Sequence, residues 1–358
     1  MGLRFYEFLA GDSAVPHRML KAAEITRFAP QLRTDNLRRA ALYYDSTVDD
    51  ARLVVANVVD GVSAGGTALS YTEAVAFVLE EGELRAVELR DREGGRTTRV
   101  RADHFVNAAG ISCDAVRGLI EPVAESELRA SKGVHLVVPS AKLQLETTVA
   151  FANKADGRLI FAVPWGDAVM VGTTDTFEDG DVRTTSAVDQ RYLLDALGSA
   201  FQELDLGPDD IISSFAGVRT LVVDPGKDEA KASSVSREHA VYEDPSGLIS
   251  IAGGKLTTFR LMAADIVDLV ATRLDDERRA ALTACSTGEA ALGGAVEVEA
   301  MEAELRQRFE LSAEVAAHLV RSYGGQATAP LEQADGDPAL LSPLVAGAPY
   351  LRLSLIHI

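Results

Sequence analysis

The stretch that says most about the fold is Ser250-Ile251-Ala252-Gly253-Gly254-Lys255-Leu256-Thr257-Thr258. An apolar strand runs into a glycine pair, a lysine and two threonines, and a helix is predicted from about 257 to 274. Helix N-termini expose unpaired backbone N–H groups and a partial positive charge, so they favour anions. The stretch therefore predicts an anion-binding turn, although an ordinary turn with a surface lysine fits the same residues. A Walker A loop is excluded, because Ile249 and Leu256 stand where that loop needs a glycine and a Ser or Thr.

Three other residues could carry chemistry. Arg219 lies in an apolar run, 215–223, and a buried guanidinium needs a carboxylate or a phosphate as its partner. Arg237 has a surface ion pair as its ordinary explanation. His135 lies in an apolar strand predicted at 133–139, and it is either a core residue or a general base for a hydroxyl proton.

The segment Gly172–Thr176 ends a predicted strand in small and hydroxyl residues. A turn explains it, and ligand contact is the alternative. The six histidines form no cluster with Cys or Asp at metal-ligand spacing, so no metal site is predicted. The sequence also lacks the Gly-x-Ser-x-Gly elbow of a hydrolase.

Composition narrows the class of protein. The 358 residues are 47% hydrophobic and 25% charged, as in an ordinary globular protein. The net charge of −19 argues against nucleic acid or an anionic lipid surface as a bulk electrostatic partner. Cys113 and Cys285 are best interpreted as reduced thiols of a cytosolic protein. An acidic protein that binds an anion must concentrate a few cations in one place.

The chain changes character along its length. A capping box at Thr47–Asp50 opens a helix that stops at Gly65, after a predicted strand at 37–45. A β-meander follows, with predicted strands at 72–80, 83–90 and 96–101. Strands joined by short connections then predict a largely antiparallel sheet. They are 133–139, 146–151, 158–164, 168–174, 213–223, 239–243 and 247–252. A helix at 187–203, opened by a capping box at Ser186, interrupts them, and 296–326 is predicted to be a helical module.

Together and in this order, these segments resemble the FAD-dependent, quinone-linked glycerol-3-phosphate dehydrogenases. The resemblance covers about residues 2 to 352 and rests on Leu42–Asp45, Val48–Arg52, Val106–Gly110, Ser131–Pro139, Pro164–Trp165, Gly172–Asp175, Ala216–Arg219, Ser236–Arg237 and Gly253–Arg260. The Lys-Gly-His and Gly-Gly-Lys-Leu-Thr-Thr stretches are specific to that family. Asn-Ala-Ala-Gly is shared by many related flavin oxidoreductases.

The resemblance implies an α/β (mixed α+β) fold with three parts. Residues 1-46 and 130-246 would form an antiparallel-sheet substrate (cap) domain. Residues 47-129 and 247-278 would form the remainder of an FAD-binding domain of the glucosamine/D-amino-acid-oxidase-like type. Residues 290-350 would form a small helical C-terminal module.

The resemblance also implies the site. Arg219, Arg237 and Lys255 would contact the phosphate and hydroxyl end of glycerol 3-phosphate, with His135 beside the reacting carbon. His135, Arg219 and Lys255 would be the catalytic residues. FAD would be lined by Ala74, Asn107, Ala108, Ala109, Gly110, Gly253, Gly254, Lys255, Leu256 and Thr257. No metal is expected.

The implied reaction is oxidation of sn-glycerol 3-phosphate to dihydroxyacetone phosphate by hydride transfer to the flavin, with electrons passed to a quinone. Peripheral attachment at the cytoplasmic face of the membrane is expected, and a homodimer is compatible with the resemblance. Two alternatives stay open: a related FAD-dependent amine or amino-acid oxidase, and a non-catalytic fragment.

The chain departs from the family pattern in two respects. Thr220 stands where the family has proline, and no Gly-x-Gly-x-x-Gly loop is present to hold the flavin pyrophosphate. The expectation is therefore a chain truncated at its N-terminus and also at its C-terminus. The last residues, 353–358, show no cap or charge pattern and are expected to be a foreign tail.

Overall fold

A computed structural model describes residues 2–10, 15–35, 37, 39–123, 126–178, 183–223, 235, 237–334 and 336–357. The chain forms two compact units. The first, which we call the sheet unit, comprises Met1–Ser46 and Thr72–Leu274. The second, the helical unit, comprises Thr47–Tyr71 and Asp275–Ile358.

The strands all belong to the sheet unit. They are β1 Arg18–Leu20, β2 Ala40–Leu42, β3 Thr72–Glu80, β4 Glu83–Asp91, β5 Thr97–Arg101, β6 Phe105–Asn107, β7 Leu128–Pro139, β8 Val149–Ala152, β9 Leu159–Trp165, β10 Ala168–Gly172, β11 Thr176–Glu178, β12 Ser213–Val222, β13 His239–Glu243 and β14 Leu248–Gly253.

Helices occur in both units. In chain order they are α1 Gly2–Ala10, α2 Ala22–Phe28, α3 Asp50–Ser63, α4 Cys113–Arg117, α5 Ala187–Ala200, α6 Phe259–Thr272, α7 Asp276–Ala280, α8 Val298–Phe309, α9 Ala313–Tyr323 and α10 Thr328–Glu332. Short 3-10 turns include Gly110–Ser112 and Leu256–Thr258. Within the described ranges, every helix is too short or too polar to cross a membrane.

The predicted antiparallel sheet is confirmed with β7 at its centre, except that the last two strands predicted with it, 239–243 and 247–252, belong to a separate sheet. The strand order is β11-β7-β10-β9-β8, and β12 pairs with the other edge of β7. From Val134 onward, alternate residues of β7 differ in burial. Val134, Leu136 and Val138 are fully buried against α5, in a core that includes Leu193 and Leu197. Burying one such leucine side chain stabilises the fold by about 1.5–3 kcal/mol. This face therefore holds the sheet in place, and polar residues can occupy the opposite face.

A second sheet is mixed. β14 pairs in parallel with β6 and antiparallel with β13. The predicted meander of β3, β4 and β5 is confirmed as a separate sheet. It adjoins the mixed sheet, because the Phe77 and Phe105 rings meet edge to face and the Leu84 N–H donates to the Ser246 carbonyl oxygen. The mixed α/β fold predicted from the sequence is therefore confirmed.

Several element bounds differ from the sequence predictions, among them the starts of β7 and of two helices, the end of α5 and one strand. α3 is capped by Asp49, whose carboxylate accepts a hydrogen bond from the Arg52 N–H, and the capping residue predicted at Thr47 is wrong by two positions. α6 begins at Phe259, because a 3-10 turn occupies the predicted first helical residues. Of the strand predicted at 37–45, only β2 forms. The Ser186 capping box of α5 is confirmed, with Asp189 as its acidic partner.

The helical unit has its own core. It joins Leu305 and Leu319 to Leu351 and Leu353, all almost fully buried. The Leu353 N–H also donates to the Leu340 carbonyl oxygen at 2.9 Å, so this residue, expected to start a foreign tail, packs into the fold instead. α3 belongs to the same unit, where the Asp60 carboxylate accepts a hydrogen bond from the Gly293 N–H.

Candidate functional site

His135 lies on the polar face of the central strand, opposite the aliphatic core. In register it stands between Gly172 on β10 and Phe215 on β12. Its ring stacks on Phe215, with 5.0 Å between the centroids and 13° between the planes. A Cβ at Gly172 would collide with the imidazole, so the glycine makes room for the ring. His135 is thus partly buried, on the face of β7 opposite the aliphatic core.

Arg219 lies on the same face. Its strand position pairs with Ser131, and its guanidinium extends over Gly133, where any Cβ would collide with it. Nη2 donates to the Thr173 hydroxyl at 3.1 Å. Nη1 is shielded from solvent and has no hydrogen-bond partner among the described residues. Burial lowers the pKa of Arg219, the charge of Asp175 opposes this, and the charge of Arg237 adds to it. An arginine stays protonated under these conditions.

Asp175 brings the two predicted arginines together. Its Oδ1 is 3.5 Å from Arg219 Nη1, and its Oδ2 is 3.7 Å from Arg237 Nη2. The side chain is only 11% exposed, and the Ser131 hydroxyl donates a short hydrogen bond to Oδ1. One partly buried and one exposed cation thus share one carboxylate, which leaves a local excess of positive charge in an acidic protein.

Thr173 and Asp175 were not among the predicted site residues. The available signal was the segment Gly172–Thr176, whose small and hydroxyl residues end β10 and begin β11. This segment reaches Arg219 because β7 pairs with β12 along one edge and with β10 and β11 along the other.

Asn107 ties together the ends of two parallel strands. It is almost fully buried at the end of β6, and its Nδ2 donates to the Cys113 carbonyl oxygen at 3.0 Å and to the Ser250 hydroxyl on β14 at 3.1 Å. Its Oδ1 accepts a hydrogen bond from the Ala109 N–H at 3.2 Å. An amide side chain suits this position because it supplies both donors and an acceptor. The loop Ala108–Gly110 is thereby held at the carboxyl end of the strand.

The glycine pair follows the neighbouring parallel strand. Gly253 and Gly254 have φ angles of +81° and +77°, a backbone region that favours glycine. Lys255 is exposed, and its N–H donates to the Thr258 hydroxyl at 3.3 Å, closing the 3-10 turn of Leu256–Thr258. The backbone N–H groups that could face an anion after β14 therefore belong to this 3-10 turn, which directly precedes α6.

Backbone pairing brings the predicted residues into one neighbourhood. His239 pairs with Gly253, and the Gly254 N–H donates to the Glu238 carbonyl oxygen at 3.2 Å, so Arg237 and Lys255 lie at the same end of the β13–β14 pair. The 3-10 turn at Gly110–Ser112 lies against β7, β12 and β14. Ala74 is apart from this group, on β3 in the meander.

Comparison with known proteins agrees with the resemblance found in the sequence. The sequence profile "FAD dependent oxidoreductase" matches residues 2–269. The profile "C-terminal domain of alpha-glycerophosphate oxidase" matches residues 285–358. The aerobic glycerol-3-phosphate dehydrogenase of Staphylococcus haemolyticus is 34% identical over 336 residues, which cover 90% of this chain and 60% of the relative. The chain thus spans about 60% of the length of the curated relatives it matches.

Two solved structures share the fold. The glycerol-3-phosphate dehydrogenase from Bacillus halodurans, complexed with FAD, superposes with a TM-score of 0.77 at 31% identity, covering 90% of this chain and 63% of that one. Glycine oxidase from Bacillus cereus superposes with a TM-score of 0.54 at 15% identity, covering 78% and 72%, and shows the fold alone. Because the oxidoreductase profile extends over residues 2–269, the chain belongs to the FAD-dependent oxidoreductase family, and its resemblance to the glycerol-3-phosphate dehydrogenases is confirmed.

Proposed function

We propose that the whole protein oxidises sn-glycerol 3-phosphate to dihydroxyacetone phosphate, with FAD as its cofactor. The observation that carries the substrate class is the shielded Nη1 of Arg219, which lacks a hydrogen-bond partner among the described residues. A buried guanidinium donor without a partner is costly, and an anionic oxygen would satisfy it. The second arginine on the same carboxylate favours an anion of more than one negative charge.

The chain's residues fit an FAD at the ends of β6 and β14. Ligands of sheets with parallel strands bind beyond the carboxyl ends of those strands. Here those ends carry Asn107–Gly110 and Gly253–Thr257, mostly small residues whose backbone can approach a flat ring. We propose that these segments hold the flavin and that Ala74 meets the adenine. Bound FAD would supply the hydride acceptor.

The arginines hold the substrate's phosphate. The planar fork of Arg219 matches two phosphate oxygens, and its Nη2 is already fixed by the Thr173 hydroxyl. Arg237 is more exposed, at 41%, and approaches the same anion from the β13 side. This arrangement leaves the carbon end of the substrate to the other groups of the site.

His135 takes the proton from the C2 hydroxyl. Its ring stacks on Phe215 and packs closely over Gly172, which limits how far it can turn. A positioned imidazole base of this kind contributes about 10²–10⁴-fold to a rate. Lys255 stabilises negative charge on the substrate oxygen from the end of β14.

A quinone is the proposed electron acceptor, and the cytoplasmic face of a membrane is the proposed location. The support is the resemblance to the quinone-linked enzymes. Within the sheet unit, the exposed Arg33 and Arg39 are the cations proposed to meet an anionic surface.

The first experiment measures the binding of glycerol 3-phosphate before any FAD is added. Titration calorimetry of the purified chain with glycerol 3-phosphate should show binding, whereas glycine and sarcosine should not bind. Addition of FAD and then glycerol 3-phosphate without oxygen should bleach the visible flavin band. Bleaching by glycine or sarcosine alone would establish an amine oxidase instead, and absence of glycerol 3-phosphate binding would refute the proposed substrate.

Replacement of the base separates chemistry from binding. His135→Ala should lower turnover by about 10²–10⁴-fold while the Michaelis constant for glycerol 3-phosphate changes little. Phe215→Leu is the matched control, since it removes the ring stack but keeps the imidazole, and it should lower turnover by a smaller factor. Unchanged turnover of His135→Ala at saturating substrate would show that another group takes the proton.

A further inference from the structure

Asp175 has an unusual relation to the two arginines. Its carboxylate lies 3.5 Å from Arg219 and 3.7 Å from Arg237, beyond the 2.7–3.2 Å of an N–H···O hydrogen bond. The hydroxyl of Ser131 instead occupies Oδ1. The acid therefore attracts both guanidiniums without using their hydrogen-bond donors.

The position of the carboxylate is fixed from several sides. Besides the Ser131 hydroxyl on its side chain, the Asp175 backbone oxygen accepts a hydrogen bond from Arg158 Nη1 at 2.6 Å. With a side chain only 11% exposed, Asp175 has little freedom to turn toward solvent. Charges at this separation interact more strongly in a partly buried place than at an exposed surface. The carboxylate therefore offsets the repulsion between the two guanidiniums.

We propose that Asp175 is the resident counterion of the anion site: it keeps Arg219 and Arg237 together in the ligand-free protein, and a phosphate group takes over as their hydrogen-bonding partner. Asp175 is thus a positioning residue that acts through the arginines. The inference rests on the proposed function, because it concerns the same phosphate site.

This role predicts the direction in which stability and phosphate affinity change when Asp175 loses its charge. The carboxylate and the phosphate are both negative, so Asp175 stabilises the empty site and opposes the filled one. Removing its charge should leave the empty site less stable and the anion more tightly bound. A purely structural acid would give the opposite result, since a distorted site binds its ligand less well.

The test uses inorganic phosphate as the probe. In Asp175→Asn, calorimetry should show a dissociation constant for phosphate about tenfold lower than in the wild type, which is about 1.4 kcal/mol. Denaturant unfolding without phosphate should show a lower stability, and phosphate should raise the unfolding midpoint more than it does in the wild type. Unchanged or weaker phosphate binding by the folded variant would overturn the proposal.

Ser131→Ala is a second variant, in which the phosphate affinity should change in the opposite direction. Without the serine hydroxyl, Oδ1 is free to accept hydrogen bonds from Arg219, so the internal carboxylate competes better and phosphate should bind about threefold more weakly. This measurement stands even where Asp175→Asn does not fold. Tighter or unchanged binding in Ser131→Ala would contradict the counterion role.

Asp189→Asn is the matched control. Asp189 is a buried carboxylate paired with Lys132, outside the proposed site, so its replacement should lower stability without changing the phosphate affinity. The outcomes also separate the two proposals. Phosphate binding that shifts as stated, without glycerol 3-phosphate oxidation, refutes the proposed function and supports the counterion. No phosphate binding by the wild type overturns both.

Discussion

Lys132 and Arg219 are cations on two paired strands of one sheet, and their surroundings differ sharply. Lys132 Nζ lies 3.1 Å from Asp189, and both side chains are less than a tenth exposed. Arg219 is 28% exposed, lies 3.5 Å from its carboxylate, and keeps an Nη1 that has no hydrogen-bond partner among the described residues. A short, closed pair is typical of a structural cation, whereas a long pair with an unsatisfied donor supports the ligand site proposed for Arg219.

The largest expected effect comes from breaking the ion pair between Lys132 and Asp189. Lys132→Met should lower the free energy of unfolding by about 3–5 kcal/mol, because it leaves the Asp189 carboxylate buried without its cation. Denaturant unfolding at neutral pH measures this change. Phosphate affinity should stay at the wild-type value in the folded fraction. A variant of wild-type stability that binds phosphate tenfold more weakly would move Lys132 into the ligand site.

Arg219→Ala should show the reverse pattern. The Michaelis constant for glycerol 3-phosphate should rise about 100-fold, or about 2.7 kcal/mol, because charge-assisted hydrogen bonds to the phosphate are lost. Turnover and stability should change much less. Arg237→Ala is the comparison variant, and its more exposed guanidinium should give a smaller rise. A large loss of stability in Arg219→Ala, with an unchanged Michaelis constant, would make it a second structural cation.

Local patterns predicted the elements around both cations. The strand predicted at 133–139, the turns of the meander and the Ser186 capping box of α5 are all encoded within a few consecutive residues, and the structure confirms each of them, although β7 already begins at Leu128. Within the observed β7, the two-residue period of a strand places Lys132 and His135 on different sides, since their positions differ by an odd number. The sequence alone left open which side is buried.

Long-range pairing supplied what the sequence could not. Asp175 joins Arg219 and Arg237 across separations of 44 and 62 residues, from positions 175, 219 and 237. That link exists because β7 lies between β12 on one side and β11 on the other, a topology that no local pattern encodes. Leu353 is a similar case, because its burial depends on a core formed by distant helices. The 3-10 turn before α6 and the Asp49 cap were missed for a smaller reason, the uncertainty of helix ends.

The smallest expected effect concerns the acid behaviour of the closed pair. Burial by itself raises the pKa of Asp189, but hydrogen bonds from Ser186 and Lys132 outweigh it, so the pKa lies below its ordinary value. A carboxylate with a lowered folded-state pKa contributes its full stability above the unfolded-state value, about 3.9, and loses it as the pH falls through the folded-state value. The stability difference between wild type and Asp189→Asn should therefore be constant from pH 7 to about 5 and shrink below pH 4. Denaturant unfolding across this range measures the difference. A stability difference that stays undiminished in strong acid would show that the charge of Asp189 is not what stabilises the pair.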